Sequence, residues 1–282
     1  MRGSIIALVF ACAGCRGLLG IEEPIAIDAP GSGDAQPDSV DAFGGRVRQG
    51  LIAQWTFNET TGVTIADTSG SVVPGIAAAQ LRASDVVTWS NGTMTVGVMT
   101  PAIVAASLVP PDVGNPTPTK LLNQACVNNQ GVTLEAWVKP AAANQGTMTT
   151  PSVVAGIGAT VLSRNIAILQ AGTSWMARVR TTPDSNGGPD LIPLNPMLAG
   201  VMTHLVLVAD ATVRALYVNG DKVVESAPGV PLLWDDSFRI TLANELSLNR
   251  PWIGTFALVA LYHRALTANE IRLNLLAGPD AQ

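Results

Sequence analysis

The chain has 282 residues, of which 48% are hydrophobic and only 13% are charged, and its net charge at pH 7 is −5. This composition can supply a buried core and argues against global disorder. Sixteen Lys and Arg residues are scattered singly among 21 Asp and Glu residues, and the sequence pI is about 5.0. Because nucleic-acid binding depends on clustered positive charge, the composition also argues against a nucleic-acid partner.

The amino terminus has the features of an export signal. Met1-Arg2 supplies one positive charge, and an apolar run from Ile5 to Ala13 ends in small residues before Cys15. A membrane-spanning helix needs about 20 apolar residues, so this shorter run is typical of a cleavable signal.

The four residues Cys12-Ala13-Gly14-Cys15 resemble the lipobox of bacterial lipoproteins. The resemblance implies a signal peptide over residues 1–14 and a diacylglyceryl group on the thiol of Cys15, which would anchor the protein to a membrane. Arg16, in place of Asp after the cysteine, resembles an outer-membrane destination. An ordinary secretory signal is the alternative, and it would produce a secreted protein.

Residues 15–46 form a predicted disordered tether. From Ile27 to Gly45 the sequence is rich in Asp, Gly, Pro and Ser and has almost no periodic apolar residues, which is typical of an extended linker. The folded domain is predicted over residues 47–282. Its one cysteine, Cys126, predicts neither an internal disulfide nor a cysteine-based metal site.

The domain begins as short apolar runs broken by Gly, Asn, Asp and Pro, which indicates an all-β protein. Leu51–Phe57 and Val132–Lys139 alternate apolar with polar residues, and they are predicted to be half-buried strands. Between His204 and Glu225, turns at Asp210-Ala211 and Asn219-Gly220 predict three antiparallel strands.

The last segments complete the pattern. Thr255–His263 is apolar on both faces, which indicates an inner strand. Thr267–Ala277 is predicted to be a short helix, because Thr267 and Glu270 can form a capping box and Gly278 can end the helix. The residues predicted to pack this helix on the edge of the sandwich are Ile271, Leu275 and Leu276.

Four stretches, taken in order, resemble the LamG-like domains of the concanavalin A-like lectin and glucanase superfamily. They are LIAQWTFNETTGVTIADTSG, VTLEAWVKP, ALYVNGDKV and WIGTFALVALYHRALTANEI. The resemblance spans roughly residues 51 to 278 and implies an all-β, two-sheet antiparallel jelly-roll sandwich of about a dozen strands with a short C-terminal helix. It implies no single function, because this sandwich serves lectins, adhesion modules, hydrolases and inert spacers.

The residues do not predict an enzyme. The glucanases of the superfamily carry two catalytic carboxylates in a Glu-x-Asp-x-x-Glu pattern on one strand, which places them in the same cleft. Glu135 lies on a comparable strand, but Trp137 and Pro140 occupy the positions of its partners, so Glu135 is predicted to be a strand-surface charge. His204 and His263 stand at strand ends without a recognisable nucleophile nearby and are predicted to be structural.

No cofactor is predicted, although calcium is considered because some relatives hold it with loop oxygens. The candidate ligands in the loop PDSNGGPD are Asp184, Asn186 and Asp190, and a further candidate is Asp67. Ordinary turn roles are the alternative for all four, including an Asx-turn at Asp67.

Sugar binding usually needs an aromatic platform with flanking hydrogen-bonding side chains. Two clusters have these residue types: one comprises Trp234, Asp235 and Asp236, and the other comprises Asn249, Arg250 and Trp252. Packing or loop-fixing roles are the alternative reading of both clusters. Trp55 and Trp137 are predicted to lie in the core or between the sheets.

The sequence therefore predicts an exported, lipid-anchored, non-catalytic binding or adhesion module of the bacterial cell envelope, with carbohydrate as the candidate ligand. The alternative is a structural or protein-interaction lipoprotein whose partner is another envelope protein. A glycoside-active enzyme is a third possibility, supported only by the analogy with the superfamily.

Overall fold

Fifteen strands and one helix are present in the residues that the structure, a computed structural model, describes: 45–70, 81–82, 87–97, 104–106, 131–160, 163–181, 190–194, 196–227, 232–235 and 238–279. In chain order these elements are β1 (Leu51–Trp55), β2 (Thr64–Ile65), β3 (Leu81–Arg82), β4 (Val87–Ser90), β5 (Thr93–Val96), β6 (Val104–Ala106), β7 (Gly131–Pro140), β8 (Ser152–Thr160), β9 (Ser163–Ala171), β10 (Ser174–Val179), β11 (Thr203–Asp210), β12 (Arg214–Val218), β13 (Asp221–Ser226), β14 (Arg239–Leu242), β15 (Gly254–Tyr262) and α1 (Ala268–Ala277).

The strands form two antiparallel sheets. Sheet A has the order β13-β12-β11-β7-β15-β5-β4, and β1 also pairs with β15. Sheet B has the order β10-β9-β8-β14-β6-β3-β2. The predicted all-β class, with two antiparallel sheets and one short C-terminal helix, is confirmed.

The predicted hairpins are present because their turns are specified locally. Asn219 and Gly220 join β12 to β13 with φ values of 51° and 84°, which are the positive angles that Asn-Gly tolerates. Between β11 and β12, the carboxylate of Asp210 accepts hydrogen bonds from the backbone N–H groups of Thr212 and Val213 at 2.6 and 2.8 Å. This Asx-type turn reverses the chain without help from distant residues.

The main core lies between the two sheets. Aromatic side chains fill its centre: the rings of Phe57 and Phe256 are 5.9 Å apart, and those of Trp252 and Phe256 are 5.1 Å apart with an edge-to-face geometry. Trp55 is fully buried beside them, as predicted. Burial of such large rings is the main source of stability in a domain of this kind.

The outer face of sheet A is covered as well. A second apolar cluster includes Val206, Leu258 and Tyr262 of the sheet together with Ile271 of α1. The prediction that β1 and β7 are half-buried is therefore wrong, since all five residues of β1 are buried. Alternation identifies the polar side chains, but it does not show that Asn274 of α1 contacts Glu135 of β7 or that Asp67 and Thr68 contact Gln54 of β1.

Helix α1 begins with the predicted capping box. Thr267 accepts a hydrogen bond from the backbone N–H of Glu270, and the Glu270 carboxylate accepts one from the backbone N–H of Thr267. Its buried residues are Ile271 and Asn274, whereas Leu276 is 76% exposed, so the predicted packing of Leu276 is wrong. Within the described part of the chain, no helix has the length and apolarity needed to cross a membrane.

Candidate functional site

Strand β8 carries two glycines on the outer face of sheet B. Successive residues of a strand point to opposite faces, so Gly156 and Gly158 point outwards while Ile157 packs in the core. Gly158 is paired with Arg239 of β14 on one side and with Arg164 of β9 on the other. Paired residues share a face of the sheet, and Gly158 therefore lies between two arginine side chains.

Gly156 precedes Gly158 by two residues and therefore lies on the same face of the sheet. Its paired residues are Thr241 of β14 and Ala167 of β9. A Cβ atom on Gly156 would lie 2.9 Å from the Cβ of Ala167, and a Cβ on Gly158 would lie 2.8 Å from the Cβ of Arg164. A larger residue would therefore force the neighbouring strands to shift. The feature formed by Gly156 and Gly158 with these four flanking residues is called the glycine groove below.

The glycine groove is shallow. A cleft of about 10 Å³ opens along it, with Gly156, Gly158, Arg164 and Thr241 in its lining, and such a space holds about one water molecule. A glycine inside a strand often marks a place where a ligand approaches the backbone closely. A sugar-sized ligand would consequently lie over the groove instead of entering a cavity.

Three arginines with two carboxylates stand beside the groove. Arg164 donates to Glu245 at 3.3 Å, and the Nε atom of Arg250 lies 3.9 Å from the same carboxylate. Arg178 forms a bidentate pair with Asp190 at 2.5 and 3.0 Å. Arg164, Arg178, Glu245 and Arg250 are all less than 8% exposed. Guanidinium and carboxylate groups are thus fixed in position at the edge of the groove before any ligand arrives.

Burial lowers the pKa of Arg164 to about 10, and the neighbouring charges of Arg178 and Arg250 act in the same direction, while Glu245 opposes them. The surroundings therefore disfavour the positive charge of Arg164. An additional anionic oxygen near this guanidinium would stabilise its charged form.

Arg250, a predicted sugar-binding residue, is held beside Glu245 by contacts with two loops. Its NH1 group donates to the backbone oxygens of Thr149 and Pro151 at 3.4 and 3.5 Å, and its backbone N–H donates to the side chain of Asn244 at 3.0 Å. Asn249 is exposed, and its side-chain amide lies 3.4 Å from the hydroxyl of Ser247. These contacts favour the loop-fixing alternative for Arg250 and leave Asn249 accessible.

The first predicted cluster is joined to β9 through Asn165. The side chain of Asn165 donates to the backbone oxygen of Asp235 and accepts from its backbone N–H, both at 2.9 Å. The Asp235 carboxylate lies 3.9 Å from Arg180. Trp234 is half-buried and packs against the main core. Asn165 follows Arg164 directly, and Arg164 shares the carboxylate of Glu245 with Arg250 of the second predicted cluster.

Trp252 is not an exposed platform. Its side chain is fully buried, and its indole N–H donates to the side-chain oxygen of Gln170 at 2.8 Å. Gln170 in turn donates to the backbone oxygens of Ala142, Ala143 and Gly172 at 3.1 to 3.3 Å. The packing alternative therefore accounts for Trp252, because its ring faces cannot be reached by a sugar.

The calcium candidates have other contacts. One oxygen of Asp67 accepts from the backbone N–H groups of Gln54 and Ser69 at 3.0 and 2.8 Å, which is the Asx-turn alternative, and burial raises the pKa of Asp67. Asp190 pairs with Arg178. Among the described residues, no three His, Cys, Asp or Glu side chains are grouped to hold a metal ion. The predicted residues that lie outside the described ones are Cys15, Cys126, Asp184, Asn186 and Asp236.

Glu135 is not a strand-surface charge, and that prediction is wrong. Its side chain is fully buried on the outer face of sheet A, where it forms an ion pair with Arg46. It also lies 2.9 Å from the Nε2 atom of His204, and it accepts from the side-chain amide of Asn274 at 2.8 Å. The hydroxyl of Tyr262 is 3.5 Å away. These residues are called the Glu135 cluster below.

The Glu135 cluster keeps its carboxylate charged. Burial alone would raise the pKa of Glu135, but the charges and hydrogen bonds of Arg46 and His204 lower it to about 2. Burial raises the pKa of Tyr262, and the nearby charge of Glu135 adds to this effect. Arg46 also donates to the backbone oxygen of Gly278. The side chain of Arg46 therefore connects the segment before β1 both to β7 and to the end of α1.

Sequence reasoning missed Gly156, Gly158, Arg164 and Arg239 as candidate site residues. The available signal was the Gly-Ile-Gly triplet inside an otherwise apolar strand. Glycine inside a strand weakens the sheet, and it often marks a place where a ligand approaches the backbone closely. The arginines carried no local signal, because their place beside the glycines depends on the register of three strands.

Two antiparallel sheets around a shared core, with a capped terminal helix, define a β-sandwich. The family model described as the concanavalin A-like lectin/glucanases superfamily, a laminin-G model, matches residues 114–272. This match covers more than half of the chain. The chain therefore belongs to the concanavalin A-like lectin/glucanases superfamily. No curated protein matches the sequence.

Solved structures share the fold at low sequence identity. Trypanosoma rangeli sialidase in complex with sialic acid has a TM-score of 0.56 at 14% identity, and the match covers 82% of this chain and 33% of the sialidase chain. The binding domain of Botulinum neurotoxin DC has a TM-score of 0.57 both in its complex with SialylT, at 12% identity, and in its complex with rat synaptotagmin II, at 11% identity. Those matches cover 81% and 82% of this chain and 52% of the toxin chains. The chain therefore spans about a third of the sialidase and half of the toxin domain.

Proposed function

We propose that this protein is a non-catalytic glycan-binding domain, exported and held on the outer membrane of a bacterium by a lipid on Cys15. The glycine groove is the proposed binding site. Glycans with acidic sugars are the proposed ligand class.

The observation that carries the proposal is the position of Gly158 between Arg164 and Arg239. Guanidinium groups bind carboxylates and paired oxygens through two parallel hydrogen bonds. A glycine between them lets one face of a sugar ring approach the backbone. Arg239 is exposed, so its guanidinium is available to a ligand without a change in the fold.

Proteins with the same fold suggest which sugars to test first. The Botulinum neurotoxin binding domain was solved with SialylT, and Trypanosoma rangeli sialidase was solved with sialic acid. Sialic acid carries a carboxylate, which is the group that the exposed guanidinium of Arg239 would bind. Sialylated and uronic-acid glycans are therefore the first ligands to screen.

The non-catalytic part of the proposal is supported by the surroundings of Glu135. This carboxylate is enclosed under α1 and engaged by Arg46, His204 and Asn274, so no substrate can reach it without unfolding of the helix. Incubation of the full-length protein with polysaccharides should release no reducing sugar. Release that is abolished by Glu135→Gln would contradict this part of the proposal.

Glycan binding is tested by a glycan array and then by titration calorimetry with the full-length protein. Arg239→Met should weaken binding of acidic glycans about tenfold or more, because it removes an exposed guanidinium from the groove. Arg272→Met is the matched control, since Arg272 is also exposed but lies on α1 against the other sheet. An array without binding above background would overturn the glycan proposal.

The anchor is tested separately by intact-mass analysis of the protein from a bacterial membrane fraction, next to a Cys15→Ser variant. The proposal expects a mass gain of acyl size in the natural protein and its loss in the variant, because the thiol of Cys15 is the acceptor. An unacylated, soluble product would overturn the anchor proposal and indicate a secreted protein.

A further inference from the structure

A second candidate surface lies where the edges of the two sheets meet. β13 is the last strand of sheet A and β10 is the last strand of sheet B. Described residues of the connection from β10 to β11, namely Pro193 and the stretch from Pro196 to Val201, line a pocket of about 270 Å³ together with β12 and β13. This pocket shares no lining residue with the glycine groove.

The lining of the pocket is about equally apolar and polar. Trp175 and Met197 are buried and form its floor, while Val218 and Val223 form a wall. The polar side of the rim is formed by the turn after β12 and includes the exposed carboxylate of Asp221. The pocket can therefore bury one apolar side chain and bind one positive charge next to it.

The surface around the pocket is unusually apolar. Six large apolar side chains are exposed in the described part of the chain, and Leu194, Leu198 and Val201 are three of them. Leu194 is 99% exposed and Leu198 is 65% exposed. Leu198 and Val201 line the pocket, and Leu194 follows Pro193 of its lining in the chain. Exposed apolar side chains at one pocket mark an interaction surface.

The adjoining strand offers backbone groups to the same partner. Among the described strands, β13 pairs with β12 and with no strand on its outer side. An unpaired edge presents a row of N–H and C=O groups, and extended peptides bind such edges as an added strand. Val223 of this strand lines the pocket, so an added strand would run past its mouth.

We propose that the edge of β13 and this pocket together bind an extended peptide segment of a partner protein. The segment adds a strand to β13, inserts one aliphatic side chain into the pocket and places a Lys or Arg beside Asp221. The anchor and the basic residue are two positions apart, because residues i and i+2 of a strand share a face.

Size and charge favour this occupant over others. Pockets for small ligands usually have volumes of about 300–1,000 Å³, and this one falls just below that range. A second copy of the chain would bring another Asp221 and a net charge of −5 to the same edge, and the like charges would repel. A basic, apolar segment meets neither difficulty.

The test uses the full-length protein and immobilised octapeptides with a central Leu or Ser, each with either Lys or Glu two positions away. The Leu-Lys peptides should bind about tenfold more tightly than the Ser-Lys and Leu-Glu peptides, because the anchor and the charge both contribute. Equal binding of Leu and Ser peptides would overturn the proposal.

Two variants locate the interaction. Leu198→Lys should abolish binding of the Leu-Lys peptides, and Asp221→Lys should reverse the preference between Lys and Glu. Leu276→Lys is the matched control, since Leu276 is also exposed but does not line the pocket. All three sites are exposed, so the fold is expected to survive, and circular dichroism checks this. Sedimentation that shows dimers, lost in Leu198→Lys, would assign the surface to a second copy and overturn the peptide proposal.

Discussion

The guanidinium of Arg46 and the carboxylate of Glu135 form an ion pair in which both side chains are withdrawn from solvent. The two residues are 89 positions apart in the chain. Arg46 precedes the first strand, whereas Glu135 lies on β7 in the middle of sheet A. The pair therefore joins the start of the domain to its centre.

Replacement of Arg46 should destabilise the domain strongly. Arg46→Met leaves the Glu135 charge buried without its main partner, and the expected loss is about 3–5 kcal/mol of unfolding free energy. Urea denaturation followed by tryptophan fluorescence measures it. Arg48→Met is the matched control, because Arg48 is exposed two residues later and its loss should change stability by about 0.5 kcal/mol or less. Equal effects would mean that the pair contributes little.

Stability should fall in acid through Glu135. Its pKa is about 2 in the folded protein against an ordinary value of 4.5, so the charged form is favoured by folding. A lowered carboxyl pKa adds stability above pH 4.5, on the order of 3 kcal/mol, which is lost as the pH falls towards 2. Urea midpoints at several pH values measure this loss. Glu135→Gln should show a flatter dependence, and parallel curves for the two proteins would refute the prediction.

Gly254 should not tolerate a side chain. A Cβ atom there would lie 2.2 Å from the Cη2 atom of Trp252, whose ring is fixed in the core by Gln170. Gly254→Ala should therefore cost about 1–3 kcal/mol through overpacking, measured by thermal unfolding. Gly97→Ala is the control, because no atom lies within 4 Å of its added Cβ. A similar melting temperature for both variants would show that the Trp252 ring can move aside.

The packing of α1 can be tested with two apolar residues on its surface. Ile271 is fully buried and Leu276 is 76% exposed. Ile271→Ala should cost about 2–5 kcal/mol, whereas Leu276→Ala should change stability by about 0.5 kcal/mol or less. Denaturant unfolding of both variants gives the comparison. A larger cost at Leu276 would place the helix on the sandwich with the other side inwards.

The elements that depend on neighbouring residues were predictable from sequence. The Asn219-Gly220 hairpin and the Thr267 capping box both need only a few consecutive residues, and both are present. The two-sheet antiparallel architecture followed from the resemblance to a known superfamily, not from the residues alone, and the order of the strands was not predicted.

The features that depend on distant segments were not predictable. Glu135 alternates with apolar residues as a surface residue would, and its burial results from α1, whose residue Asn274 is 139 positions away. The glycine groove depends on the register between β8, β9 and β14, which no short pattern reports. Trp252 has the residue type of a sugar platform, and only the hydrogen bond to Gln170 shows that its ring belongs to the core.

The contacts of Arg46 also determine how the domain responds to mechanical tension. A pull on the chain from its amino-terminal side reaches Arg46 before it reaches β1. Because Arg46 is bonded to Glu135 of β7 and to the backbone oxygen of Gly278, the load passes at once into the middle of sheet A and the end of α1. The pairing of β1 with β15 is therefore loaded only after the contacts of Arg46 have broken.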